Sequence, residues 1–129
     1  MEKFKSYDNA KVLTEQERLP IGGYILKILD GKELKYDWGK VLLISFDIAE
    51  GDHKDFYKNN YANQTSEDKK WKGTYRLNVP KDDGTEKDEW TANKFKTSIA
   101  AIEDSNNGYH WDWNEEGLKG KLVGAVFNN

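Results

Sequence analysis

A mainly β fold, a curled antiparallel sheet with one helix inserted before its last strand, is what three observations in this sequence predict. Apolar residues alternate at a spacing of two through Tyr24–Leu29, Lys40–Glu50 and Trp71–Val79. Only one stretch, Glu89–Asp104, carries them at the three-and-four spacing of a helix. A further apolar run, Leu118–Phe127, follows that helix.

Residues 1–20 show no periodicity and end at Leu19-Pro20, so they read as an N-terminal arm with a short helical turn around Thr14–Arg18. Residues 21–129 read as a single domain, since a chain of 129 residues suits one core rather than two. Tyr24, Leu26 and Ile28 alternate with Ile25, Lys27 and Leu29 in the first strand. Asp30-Gly31 then interrupts the alternation as a bulge or bend would, and strand character resumes over Lys32–Tyr36. After a turn at Asp37-Trp38-Gly39 comes the strongest strand, with Leu42, Ile44, Phe46 and Ile48 on one face.

His53–Tyr61 reads as a third, more polar strand with rings on both parities. In Trp71–Val79, parity puts Tyr75, Leu77 and Val79 on the core face and Lys72, Thr74, Arg76 and Asn78 on the other, with Trp71 assignable to either. Pro80 ends that pairing because it has no N–H to donate. Asp88 is the expected N-cap of the helix, whose buried face is Ala92, Phe95, Ile99 and Ile102. Ser105-Asn106-Asn107-Gly108 stops it, and Tyr109–Trp113 packs on the core. This order of strands and helix outlines an OB-like Greek-key barrel. The five-stranded form needs one more strand, so the domain is expected to be open, or truncated before a closing strand.

Composition narrows the function. Hydrophobic residues make up 36% and charged residues 33%, which implies a modest core in which rings supply much of the burial. There is no cysteine, hence no thiolate metal site or thiol nucleophile, and the two histidines are too isolated for zinc. Asp112–Gly117 begins like a calcium loop, but Val123 stands where the bidentate glutamate belongs. No phosphate loop, dinucleotide fingerprint or G-x-S-x-G is present, so the expectation is a non-enzyme without metal or cofactor. The charged N-terminus leads into no apolar run, and no stretch approaches a membrane span, which makes a cytoplasmic protein the expectation.

Charge placement is the sharper signal. The chain carries a net charge of −3, yet Lys69–Lys81 holds five cations and no acid. Cations beside flat rings suit a polyanion whose bases stack, single-stranded nucleic acid above all. The bland reading is an edge strand kept soluble by lysines. The candidate nucleic-acid-binding residues are Lys70, Trp71, Lys72 and Arg76 in this stretch, with Lys54, Tyr57, Lys58 and Tyr61 upstream. Lys72 and Arg76 would meet phosphates, while Trp71 and one of Tyr57 or Tyr61 would stack on bases. Two other classes fit the same rings: a protein-interaction module, and a β-barrel for a small ligand or carbohydrate. A last strand with an unpaired edge would also allow a homodimer.

Several stretches carry a resemblance: Leu19–Tyr24, Ile44–Gly51, Lys70–Leu77, Val79–Gly84 and Gly108–Trp113. Through them the chain, from about Lys11 onward, resembles a family of single-stranded DNA-binding proteins from phages, prophages and conjugative elements of Gram-positive bacteria. The resemblance implies an OB-like accessory of DNA replication or recombination, working beside other proteins of those processes. It also implies a further strand pair and an acidic tail, neither of which follows Asn129 in this sequence.

Overall fold

The computed structural model describes residues 1–3 and 19–127. The helical turn expected at Thr14–Arg18 lies outside the described residues, as does most of the arm. Four antiparallel strands form one curled sheet: β1 (Gly22–Tyr36), β2 (Gly39–Ile48), β3 (Thr74–Asn78) and β4 (Leu122–Phe127), in the order β3-β2-β1-β4. Two helices, α1 (Phe56–Asn63) and α2 (Glu86–Ser105), and a 3₁₀ turn at Glu115–Leu118 complete it. The sheet is a half-barrel, with the main helix α2 ahead of the last strand: an open OB-like barrel.

A bulge interrupts β1, but one residue ahead of the expected Asp30-Gly31: the β1–β2 register shifts between Ile28 and Asp30, which leaves Leu29 as the extra residue while Asp30 and Gly31 pair regularly. It turns both Ile28, opposite Phe46, and Gly31, opposite Ile44, toward the concave face. Glycine is needed at 31 because the 3₁₀ turn presses on it: a Cβ there would lie 2.8 Å from the Glu115 carbonyl oxygen and 3.1 Å from Leu118 Cδ1.

The core fills the concave face. Ile28, Leu42, Ile44 and Leu77 from the sheet meet Phe95, Ile99 and Ile102 from α2 and Leu118 from the 3₁₀ turn. A second cluster, Leu26, Phe46 and Ile48, is flanked by Tyr24, Phe56, Tyr57 and Phe127. Helix α2 begins earlier than expected, since Thr85 rather than Asp88 is its N-cap, its hydroxyl accepting from the Asp88 N–H at 3.1 Å. Asp88 instead accepts from the Lys81 and Asp82 N–H groups at 2.7 and 2.9 Å, folding that loop onto the helix. At the other end Asn106 ties α2 to β4: its side chain donates to the Ile102 and Leu122 carbonyls and accepts from the Leu122 N–H.

Other expectations need correction, among them the strand over Trp71–Val79, of which β3 covers only Thr74–Asn78. His53–Tyr61 is not a strand, because residues 56–61 lie in α1. Tyr75 shares a row with Ile44 and Gly31, as parity demands, yet it is 40% exposed. The cluster sealed by α2 takes in Leu77 but not Tyr75, which instead borders an open cleft. The run Leu118–Phe127 is not one strand, since the 3₁₀ turn ends at Leu118 and β4 starts at Leu122.

Candidate nucleic-acid interface

Helix α1 positions half of the predicted residues, and one carboxylate positions α1. Its N-cap, Asp55, is left-handed at φ 62° and makes no side-chain cap bond. Asp47 of β2, only 5% exposed, replaces it from the sheet. Its Oδ1 accepts from the Ile48 and Tyr57 N–H groups, both at 2.8 Å, and its Oδ2 from Lys58 N–H at 3.0 Å. At the far end Gln64 donates to the Lys70 carbonyl at 2.7 Å and accepts from the Lys70 N–H at 2.9 Å. The basic stretch is thereby pinned against the helix.

These anchors bring together Tyr61, Lys69 and Trp71. The Tyr61 and Trp71 rings are 6.0 Å apart and tilted by 41°, with the Lys69 ammonium 5.4 Å from the Tyr61 centroid. Trp71 is half-buried, and its indole N–H donates to the Phe46 carbonyl at 2.9 Å, so one edge is fixed to the sheet. Tyr57 has a different part. Its ring stands edge-on to Phe46 at 5.5 Å, under Gly73, where a Cβ would meet the Phe46 carbonyl oxygen and the Tyr57 ring. Burial, then the charge of Asp47 and the nearby Tyr24, hold its phenol above the ordinary value of 10.0. Between the two candidate tyrosines, the exposed ring is Tyr61.

Arg76 belongs to a second cluster that sequence reasoning missed. Cross-strand rows place Arg76 beside Leu43 and Lys32 on the convex face, and Tyr36 shares that face of β1. Tyr36 stacks on Trp38, with centroids 5.0 Å apart and planes within 6°. The Arg76 guanidinium lies 5.5 Å from the Tyr36 centroid and donates to its hydroxyl at 3.1 Å. Tyr36 is 40% and Trp38 54% exposed, so this platform is open to solvent. The signal available in sequence was two rings flanking a hairpin turn, but nothing there joins them to a residue forty positions away.

The remaining predicted residues, Lys54, Lys58, Lys70 and Lys72, are exposed. None of them, nor Lys69 or Arg76, has a carboxylate within ion-pairing distance among the described residues. The two aromatic clusters flank β3. From Phe46, which holds Trp71, to Gly39, opposite Tyr36, is seven residues of β2, or roughly 23 Å. Compared with protein-family models, with curated proteins and with solved structures, the chain matches none.

Proposed function

We propose that this chain binds single-stranded DNA, without catalysis and with little regard to sequence, along the flank of β3. The observation that carries the reading is the recurrence of one arrangement at both ends of that strand: a pair of rings, at least one of them exposed, beside cations that no carboxylate neutralises among the described residues. Tyr36, Trp38, Tyr61 and Trp71 offer flat faces for bases, while Lys69, Lys70, Lys72 and Arg76 offer charge for phosphates. Neither cluster is part of the buried core, so packing alone does not account for them. The resemblance to phage and mobile-element proteins adds a setting to this proposal: an accessory of replication or recombination in the cytoplasm. Among the described residues no helix is long and apolar enough to cross a membrane.

The test is fluorescence anisotropy of a labelled oligonucleotide across a salt series. Four phosphate contacts predict a slope of log K against log salt of about −3, at roughly −0.7 per contact. Absence of binding at low salt ends the proposal. A protein-interaction role has one observation in its favour: Trp90 and Trp113 are 64% and 74% exposed and lie outside both clusters. Under that reading the chain shows no oligonucleotide affinity, and Trp71→Ala or Trp113→Ala breaks a protein complex instead.

A further inference from the structure

Strand β3 separates a charged flank from an apolar cleft. Arg76 stands on its convex side and Lys72 just ahead of it, both exposed. Neither has a carboxylate within ion-pairing distance among the described residues. On the concave side lies a cleft of about 490 Å³, between β3 and β4, the two edges of the half-barrel. Ile44 and Phe46 of β2, Tyr75 of β3, Ile102 of α2, and Val123 and Phe127 of β4 bound it. No charged residue lines it. Its volume falls in the range of small-molecule sites, about 300–1,000 Å³.

The cleft is not simply unfilled core. Tyr75 pairs with Ile44 and so shares its face of the sheet, but the ring is 40% exposed and stands in the cleft wall. Thr74 and Ser98 bring two further hydroxyls to the same lining. None of these three hydroxyls makes a hydrogen bond among the described residues. An apolar surface with a few free polar groups is the usual make-up of a ligand site.

The backbone at this edge is free as well. Phe46 N–H donates to the Gly73 carbonyl at 2.8 Å, and Val79 N–H to the Lys40 carbonyl at 3.0 Å. Alternation along the antiparallel ladder then turns the backbone groups of Tyr75 and Leu77 toward β2, and those of Arg76 outward. Among the described residues nothing pairs with that outer side of β3.

We infer that the cleft receives bases of the strand proposed to run along β3, so that the polymer straddles this edge. Its phosphates lie on the side of Lys72 and Arg76, and its middle bases turn over the edge beside Tyr75. The inference rests on the DNA reading and names where the bases between the two platforms go. Charge selects this occupant: the cations line only one side of β3, and the neutral cleft would desolvate a phosphate with nothing to offset the cost. Polarity selects it too. The face of a base suits an apolar wall with a flat ring, and its N–H and acceptor groups need partners once water is left behind. The three hydroxyls and the Arg76 N–H and C=O supply both kinds. Every base has a flat face and a mixed edge, so the cleft asks for no particular sequence.

The test compares the parent chain with Ala101→Trp and Tyr75→Leu by oligonucleotide anisotropy across the salt series. Ala101 is exposed on α2 and lines the cleft, so a tryptophan there takes up its space. Tyr75→Leu keeps an apolar side chain but removes the flat ring and the hydroxyl, and does not depend on the first variant folding. Each should bind about tenfold more weakly, the order of one lost stacked base, with the salt slope and circular dichroism unchanged. An oligonucleotide of equal length with abasic sites at its centre should bind parent and variants alike, because it keeps its phosphates and offers the cleft nothing. Folded variants that bind the intact oligonucleotide like the parent overturn the inference and leave the DNA reading standing. So does anilinonaphthalene sulfonate that fluoresces with the parent but not with Ala101→Trp and stays bound at saturating oligonucleotide, because the cleft then belongs to a small apolar ligand. Absence of oligonucleotide binding by the parent at low salt marks failure of the DNA reading itself, and the inference falls with it.

Discussion

Replacing Asp47 by alanine should unfasten α1 and cost the domain about 2–5 kcal/mol. The figure follows from what its carboxylate holds. The bond to Ile48 N–H lies in a buried strand, and a hydrogen bond to a charged group is worth about 1.5–3 kcal/mol. The bonds to Tyr57 and Lys58 N–H replace a helix cap, worth about 0.5–2 kcal/mol together, because a released α1 can turn these donors to water. No residue of α1 is fully buried, and the figure counts the hydrogen bonds alone, leaving out the partial packing of Phe56 and Tyr57 on the second cluster. Urea unfolding of Asp47→Ala, Asp47→Asn and the parent chain measures the effect. The asparagine keeps one acceptor for Ile48 and Tyr57 and should lose about half as much. Oligonucleotide binding should weaken in Asp47→Ala as well, because α1 carries Tyr61 and, through Gln64, holds Lys70. An alanine variant within about 0.5 kcal/mol of the parent would refute the reasoning, since that is the range of an ordinary surface change.

Other outcomes follow from the same geometry. Gly73→Ala puts a Cβ 2.8 Å from the Tyr57 ring and onto the Phe46 carbonyl, and should lower stability by about 1–3 kcal/mol in the same urea assay. Trp38→Ala should cost about 1–3 kcal/mol of oligonucleotide affinity at constant salt, the worth of one stacked base, while leaving the unfolding midpoint nearly unchanged. Arg76→Gln should reduce the salt slope by about 0.7. Arg76→Lys should restore the slope but not the affinity, because the lysine loses the planar contact with Tyr36. Burial raises the phenol pKa of both Tyr57 and Tyr109, the latter helped by Asp112 and Glu103. The unfolded chain therefore releases these protons first, so the contribution of these two tyrosines to stability should be level below about pH 10 and fall as pH rises beyond it. Tyr57→Phe should flatten that alkaline fall.

Much of the sheet was legible because it obeys local rules. Leu42, Ile44, Phe46 and Ile48 alternate, and the break in alternation at Asp30-Gly31 follows directly on the bulge at Leu29; both signals are carried by neighbours in sequence. Helix α2 was legible from Phe95, Ile99 and Ile102, which all face the core. Helix α1 was not, because none of its residues is fully buried and its packed rings, Phe56 and Tyr57, are adjacent rather than three or four positions apart. Its cap lies on another element, and its rings at 56, 57 and 61 imitate a strand. Tyr75 shows the limit of parity: alternation assigns a face of the sheet, but how far α2 extends over that face decides burial. The candidate site was half legible. Lys69–Arg76 is conspicuous as a string, whereas the stack of Tyr36 on Trp38 becomes a partner of Arg76 only when β3 is laid beside β2.

The single-residue register shift after Ile28 also links two functions of one strand. Before it the inward residues of β1 have even numbers, Leu26 and Ile28; after it they have odd numbers, beginning with Gly31. Tyr36, an even position, therefore points away from the core. The extra residue is Leu29, and every later pair, from Asp30 opposite Ser45 to Tyr36 opposite Gly39, is set by an unbroken β2. Removing Leu29 would therefore close the ladder without turning Tyr36 inward, at the cost of the bend and added twist that an extra residue gives a strand. Removing one residue between Gly31 and Tyr36 has the opposite effect, because a shortened β1 cannot keep both the Gly31–Ile44 and the Tyr36–Gly39 pairs.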